Sequence, residues 1–568
     1  MTELRSRWAR LTRTTRTIAN LAPGQIAARL GRMVRTRLLR FHPPAVPDDA
    51  ALDLSFVEAH LRLRPIGRDL PERTAAGTFA ILNHDWRFDG WRLGDCGSQR
   101  LETITLHYHE WFEPFAAAAG DGCEASADHL RRYWRDWLGI VRWDAEGIWQ
   151  LAWNPYAIAT RVQVWLRCLC VLPNDFWTNA LPRHRVVHSL FVQAAALRRQ
   201  IEWDIRANHL YRNGVGLTWI GHAFGDSGRR WRAIGESILE QQTNHQLLPS
   251  GLHFERSAHY HFEFLDDLIA ASVAASPEVS NVLDQAIGRA AAACERLRHP
   301  DGLCHGFDDG QVEWPATLIA AATRIATNAG PPKEPLADGL LRLESPPWVL
   351  LADLGSPGPR EQPGHAHADA LTFELSVGKH RLVVDPGTFH YDPTARRASD
   401  RATRSHNVVC VDGADSSEVW HLFRMGRRER TVIESVDEHA AIARHDGYRL
   451  RGFTILRRFE VGRTVQLRDE ITRDKAGKPA ELTGGYLVPG EWTALLDGNE
   501  VMFSHDGTTV AITIEGVEER GGRISLRAFD WSPRYLVSQP ASRLEWSLRT
   551  TDGDDAAVVV TTTFRIVD

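Results

Sequence analysis

Gly364-His365-Ala366-His367-Ala368-Asp369 runs directly into Leu371-Thr372-Phe373-Glu374-Leu375. The apolar alternation of the second segment predicts a strand, and an HxH pair entering a strand puts both imidazoles on one face. Two such imidazoles divide labour: one is free to bind a metal while the other faces a substrate. Downstream, Asp385 ends the run Arg381-Leu382-Val383-Val384, and His406 lies in Ser405-His406-Asn407. A histidine, an aspartate and a second histidine form a zinc-compatible set, the alternative being a surface histidine cluster.

Working outward, the chain changes character near residue 345. Trp348–Leu351, Leu371–Val377, Arg381–Val384 and Asn407–Val411 read as strands, as do Ile455–Val461, Thr464–Leu467, Val501–Ser504, Val510–Ile514 and Ala557–Ile566. Turn signals such as Asp412-Gly413 and Asp506-Gly507 separate them, which predicts a large antiparallel β-sandwich. Before residue 345 the apolar residues recur at helical spacing. Examples are Val186–Leu210, Trp231–Gln242, Tyr260–Ala275, Val282–Arg298 and Leu318–Thr327. Recurring helix pairs predict an incomplete α/α toroid. The expected organisation is a basic helical extension and connector over 1–75, a toroid over 76–340 and a β-sandwich over 341–568.

A chain of 568 residues exceeds one core. Its 43% apolar and 24% charged content is that of a globular protein. The net charge of -5 argues neither for nor against a polyanion, and no nucleic-acid partner is expected. The seven cysteines are odd in number and scattered, so they form no disulfide framework. Twenty tryptophans suit either aromatic grooves that stack sugars or a tryptophan-rich helical core.

No run of apolar residues is long enough for a transmembrane helix, and no apolar signal segment opens the chain. These features predict cytoplasmic residence, with the periplasm reached by a non-standard route as the alternative. Residues 1–40 hold ten arginines and one acid, Glu3, with Ile26, Leu30, Met33 and Leu38 at roughly helical spacing. Such a segment either touches an anionic membrane or polymer, or packs on the main body as a helical extension.

Three clusters carry chemistry: Asn208-His209-Leu210, the Gly251–His261 run, and the His365 region with Asp385 and His406. Together with Leu106–Trp111, Trp153-Asn154-Pro155, Val384–Thr388 and Asp412–Trp420, they occur in the order found in heparinase II/III family polysaccharide lyases, which this chain resembles from about residue 75 onward. The resemblance implies a toroid followed by a β-sandwich, and β-elimination at a uronic acid. In that reaction a base removes the C5 proton beside the carboxylate, the bond from C4 to the glycosidic oxygen breaks, and a 4,5-unsaturated sugar remains. The carboxylate must be neutralised as an enolate-like intermediate forms.

The resemblance assigns Asn208 and His365 to the carboxylate, and Tyr260 and His209 to base and acid. It assigns His367, Asp385 and His406 to a structural zinc. Glu255 either orients a site residue or pairs with an arginine, and Glu255, Tyr391 and Arg404 are candidate substrate contacts. Tyr260 alternatively fills a core position, and Asn208-His209 alternatively closes a helix. Asp369 is read as a supporting residue, and Trp420 as either a stacking platform or a buried sandwich residue. The arginines in Arg401–Ser405 depart from the family pattern and would recruit an acidic polymer. The expected partner is an acidic polysaccharide or oligosaccharide. The competing readings are a polymer-binding or exopolysaccharide-assembly protein without lyase activity, and a zinc hydrolase.

Overall fold

The computed structural model describes residues 2–39, 51–67, 71–91, 100–142, 148–326, 334–473, 479–551 and 557–567. The helical half is built from paired helices that follow one another closely. Asn154 caps the helix Pro155–Val171 by accepting from the Tyr156 amide, and Pro155 takes the first turn, where no donor is lost. Ala207–Ala223 and Gly225–Gln246 form a hairpin. Gly216 lets that hairpin close on the neighbouring helix: a Cβ there would lie 2.7 Å from the Ala159 Cα. The tryptophans serve this core. Trp134, Trp137, Trp165 and Trp219 are fully buried, with Trp134 and Trp137 set edge-on to Trp165.

In the helical half the sequence reading is corrected in two places. Within the expected connector, Ser55–Leu63 is a helix whose Phe56 packs edge-on to Trp219 at 5.3 Å. The predicted helix Val186–Leu210 is two helices, Arg183–Gln200 and Ala207–Ala223. The first helix is closed by Ile201, whose ψ of 132° is extended, and the turn that follows enters the second through Arg206 and Ala207, at φ of +67° and +48°.

Besides the two-stranded pair Val419–Trp420 and Arg424–Met425, the C-terminal half holds three antiparallel sheets among the described residues, of eight, five and four strands. The five-stranded sheet begins at Leu336–Ala337, slightly ahead of the expected boundary, and includes Trp348–Asp353, Phe373–Val377 and His380–Val383. The four-stranded sheet runs Arg523–Arg534, Val537–Arg549, Glu481–Pro489 and Cys410–Val411. Phe453–Val461 of the eight-stranded sheet buries every second residue, the pattern of a one-sided strand. The three sheets meet where Phe373 packs against Phe459, Tyr486 and Phe564.

One buried ion pair crosses this core. The Arg457 guanidinium donates to both Asp469 oxygens at 2.7 and 2.8 Å, and to the Leu371 and Asn407 carbonyls. Removing one partner strands a charge where water does not reach it. Arg457→Met is therefore expected to cost about 3–5 kcal/mol, with Arg457→Met/Asp469→Leu recovering most of the loss. Urea unfolding of the two variants checks this; a double variant no more stable than the single would refute it.

Candidate active site

The cluster lies where the two halves meet. Ser257 caps the helix Ala258–Ala274, so Tyr260 sits in its first turn. The Tyr260 ring stacks on the His365 imidazole, with centroids 3.8 Å apart and planes 11° from parallel. Its hydroxyl lies 3.0 Å from that of Tyr391, which lies 2.6 Å from that of Tyr535. Burial, then the neighbouring Tyr391 and Tyr535 phenols, push the Tyr260 hydroxyl well above its ordinary value. At neutral pH it is a proton donor.

His365 and His367 do not enter a strand, because the strand begins at Phe373. The backbone of this run bonds elsewhere: the Asp309 amide donates to the His365 carbonyl, the His367 amide to Asp308, and the Ala368 amide to the Arg401 carbonyl. The two imidazoles consequently face different carboxylates. His365 Nδ1 meets Glu255 Oε2 at 2.5 Å, and His367 Nε2 meets Asp309 Oδ1 at 2.9 Å. Burial alone would raise the Glu255 carboxyl, but His365, His253 and His209 hold it below its ordinary value. Glu255 is buried with His365 as its hydrogen-bond partner, a placement that matches the orienting reading among its three.

Asn208 and His209 open a helix rather than close one. His209 Nδ1 lies 3.2 Å from both oxygens of the fully buried Glu202, whose position Asn213 fixes. Burial lowers the His209 imidazole, and Glu202 more than offsets this, so the net shift is upward. The Asn208 Oδ1 is buried and has no hydrogen-bond partner among the described residues. Since amide oxygen and nitrogen are exchangeable by a flip, Asn208 is equipped to offer an N–H to a carboxylate.

His367, Asp385 and His406 are brought together, with candidate ligand atoms all within 4.8 Å of one another. His367 Nδ1 and His406 Nε2 are buried without partners among the described residues, while His406 Nδ1 meets Asp385 Oδ2 at 2.8 Å. Two orphaned imidazole nitrogens beside a carboxylate suit a transition metal. Asp309 on the far nitrogen of His367 would fix that ring's orientation, and Asp369 sits alongside, 3.9 Å from His406 Nδ1.

Arg404 is exposed on the turn Thr403–Ser405, has Asp415 as a charged neighbour, and makes no hydrogen bond to the Tyr260 cluster among the described residues. The buried arginines here are Arg397 and Arg401. Arg397 pairs with Asp309 through both terminal nitrogens and lies 4.9 Å over the Tyr391 ring. Sequence reading missed Arg397, Asp309, Glu202 and Tyr535. A signal for Glu202 is present, an acid seven residues before His209, but a continuous helix would set the two on one face about 10 Å apart along the axis, too far to bond. Trp420 takes neither expected role: it is half-buried and donates to Thr17 of the N-terminal helix.

Glu202→Gln is expected to shift the His209 titration downward, read by NMR of histidine-labelled protein. Because the folded value is raised, the pair stabilises fully below the unfolded value of about 6.5 and progressively less as pH rises through the folded one. The stability difference between wild type and variant should therefore shrink with rising pH; a constant difference would show that Glu202 acts through packing alone.

The family described as Heparinase II/III N-terminus matches residues 84–327, and that described as Heparinase II/III-like, C-terminal matches residues 329–559. No curated protein matches the chain. The crystal structure of heparinase III superposes with a TM-score of 0.71 at 15% identity, over 96% of this chain and 92% of that one. A heparan sulfate lyase HepC mutant from Pedobacter heparinus gives 0.60 at 16% identity, over 96% and 89%. The heparinase III-BT4657 gene product gives 0.60 at 17% identity, over 97% and 92%. At these identities the likeness is one of fold.

Proposed function

The chain belongs to the heparinase II/III-like family, and we propose that it is a polysaccharide lyase that cleaves a uronate-containing polysaccharide or oligosaccharide by β-elimination. The observation that carries this reading is the Tyr260–His365 stack, with Glu255 behind the imidazole and the unpartnered Asn208 amide in the same junction. A binding protein has no need of a buried phenol and a carboxylate-backed imidazole at one point. Elimination needs both a proton acceptor and a proton donor.

In this reading His209, made more basic by Glu202, takes the C5 proton. Tyr260, held protonated by burial, delivers its proton to the departing glycosidic oxygen. Asn208 and His365 hold the carboxylate as charge moves onto it. Tyr391 and Tyr535 keep the Tyr260 hydroxyl aimed and connect it to further hydroxyls for reprotonation. The alternative, a polymer-binding or exopolysaccharide-assembly protein, shares the acidic ligand and lacks the unsaturated product.

Absorbance of the unsaturated uronate, followed over a panel of uronate polymers, tests the reading. Tyr260→Phe is expected to lose at least about two orders of magnitude in kcat, the usual scale of general acid–base catalysis. A wild type that binds a polymer without generating the absorbance would favour the binding protein. A His209→Ala variant of unchanged kcat would leave Tyr260 to perform both proton transfers.

We also propose that His367, Asp385 and His406 hold zinc, which when bound would act as a structural tie on the run carrying His365. The wild type should then contain zinc by elemental mass spectrometry, and His406→Ala should lose it. Chelation should lower the unfolding temperature of the wild type and leave that of His406→Ala unchanged. Wild type prepared with zinc and found without it would remove the metal from the account.

A further inference from the structure

The two N-terminal helices, Thr2–Asn20 and Pro23–Leu39, are amphipathic with the usual order reversed. A helix lying on a protein normally turns its apolar face inward. Here the polar side chains face the body. Gln25 is buried and donates to the Asp204 and Glu361 carbonyls, Arg32 pairs with Asp204 at 2.7 Å, and Arg35 donates to the Arg199 carbonyl. On the first helix Thr17 and Asn20 donate to the Met425 and Gly426 carbonyls, and Arg16 pairs with Glu418.

The apolar residues point out. Ile26, Leu30, Met33, Val34 and Leu38 are 43%, 61%, 63%, 60% and 58% exposed, and Leu11 and Ile18 of the first helix are 57% and 47% exposed. The positions 26, 30, 33, 34 and 38 fall on one side of a helix, as spacings of three and four require. Arg29 and Arg37 are exposed beside this row. The helix Arg183–Gln200 beneath adds Arg198 and Arg199, with Arg230 nearby; burial and then these two neighbours push the Arg198 guanidinium down, as clustered positive charge does.

We propose that this outward face docks on the surface of an anionic lipid bilayer. The apolar row would enter the headgroup boundary while the surrounding arginines meet lipid phosphates, the combination that interfacial helices use. A second copy of the chain would answer the apolar row but would bring like charge against like. An acidic polysaccharide would answer the arginines and leave the apolar row in water. Of these three, an anionic surface with an apolar interior answers both. No helix among the described residues is long and apolar enough to cross a membrane, so the contact is one of lying on the surface.

Full-length protein sedimented with vesicles tests this, using phosphatidylglycerol mixed with phosphatidylcholine against phosphatidylcholine alone. Wild type should sediment with the first and stay in solution with the second. Leu30→Glu/Val34→Glu should lower the bound fraction at least about tenfold, and Arg29→Gln/Arg37→Gln several-fold. Both pairs are exposed, so circular dichroism and thermal unfolding should match wild type and exclude misfolding. Equal binding by wild type and Leu30→Glu/Val34→Glu, or no sedimentation with either vesicle, would overturn the proposal. A wild-type dimer that the same variant dissociates, without vesicle binding, would overturn it in favour of a second copy.

Discussion

The Asp309 carboxylate is the constraint on which the junction depends. It is fully buried and accepts from both terminal nitrogens of Arg397, from His367 Nε2 and from the Thr388 hydroxyl. Its amide donates to the His365 carbonyl, and its carbonyl accepts from Ser257 Oγ at 2.7 Å. One residue thereby fixes the start of the helix carrying Tyr260, the run carrying both imidazoles, and the arginine beneath Tyr391. Burial works against the charged carboxylate, but Arg397 and His367 overcome it and hold the group far below its ordinary value. A carboxylate so placed is costly unless every oxygen is engaged, which makes its geometry stringent.

From that anchor the division of roles between His365 and His367 follows as electrostatics. They are two residues apart and share a backbone run, yet Glu255 takes one and Asp309 the other. The imidazole on Glu255 faces a phenol ring; the imidazole on Asp309 faces His406, with ring centroids 5.2 Å apart. Burial first, then the nearby His406 and Arg397 charges, offset only in part by Asp309, lower His367 to about 3, so its Nδ1 is a neutral donor of the kind a metal requires. The opposite directions of Tyr260 and Glu255 have the same logic: one charged form lacks a cationic partner, and the other has three imidazoles around it.

The sequence was legible where chemistry is local. Helical spacing before 335 and short strands after 345 reveal the order of the two halves, and HxHxD points to the junction once Asp385, His406 and the Asn208 and Gly251–His261 clusters are set beside it. It was less legible where long-range bonds override local pattern. The apolar spacing of Val186–Leu210 continues through the break at 201–206, so the pattern places Asn208 at the end of a helix whereas it lies at the start of one. Alternation after Asp369 suggested a strand from the histidines onward, but the amide and carbonyl groups of 365–368 bond to Asp308, Asp309 and Arg401 instead of a neighbouring strand. Asp309 itself stands in Asp308-Asp309-Gly310, which in isolation looks like a solvated turn.

The site is also a product of the contact between the two halves rather than of either one. Tyr260, His209 and Glu255 come from the helical half, whereas His365, Tyr391 and Tyr535 come from the sheet half. The surfaces that meet carry polar ties beside the apolar contacts of Ala337, Leu340 and Leu351: Glu374 accepts from the Gly306 and Asp385 amides and from Arg381, and Arg381 reaches back to Asp301. An apolar interface of the same size would hold the halves together as firmly, but it would tolerate sliding. Directional bonds to buried carboxylates do not, because each displaced donor leaves an unsatisfied charge. A stack with centroids 3.8 Å apart, formed across two domains, needs that kind of registration, and the polar junction supplies it.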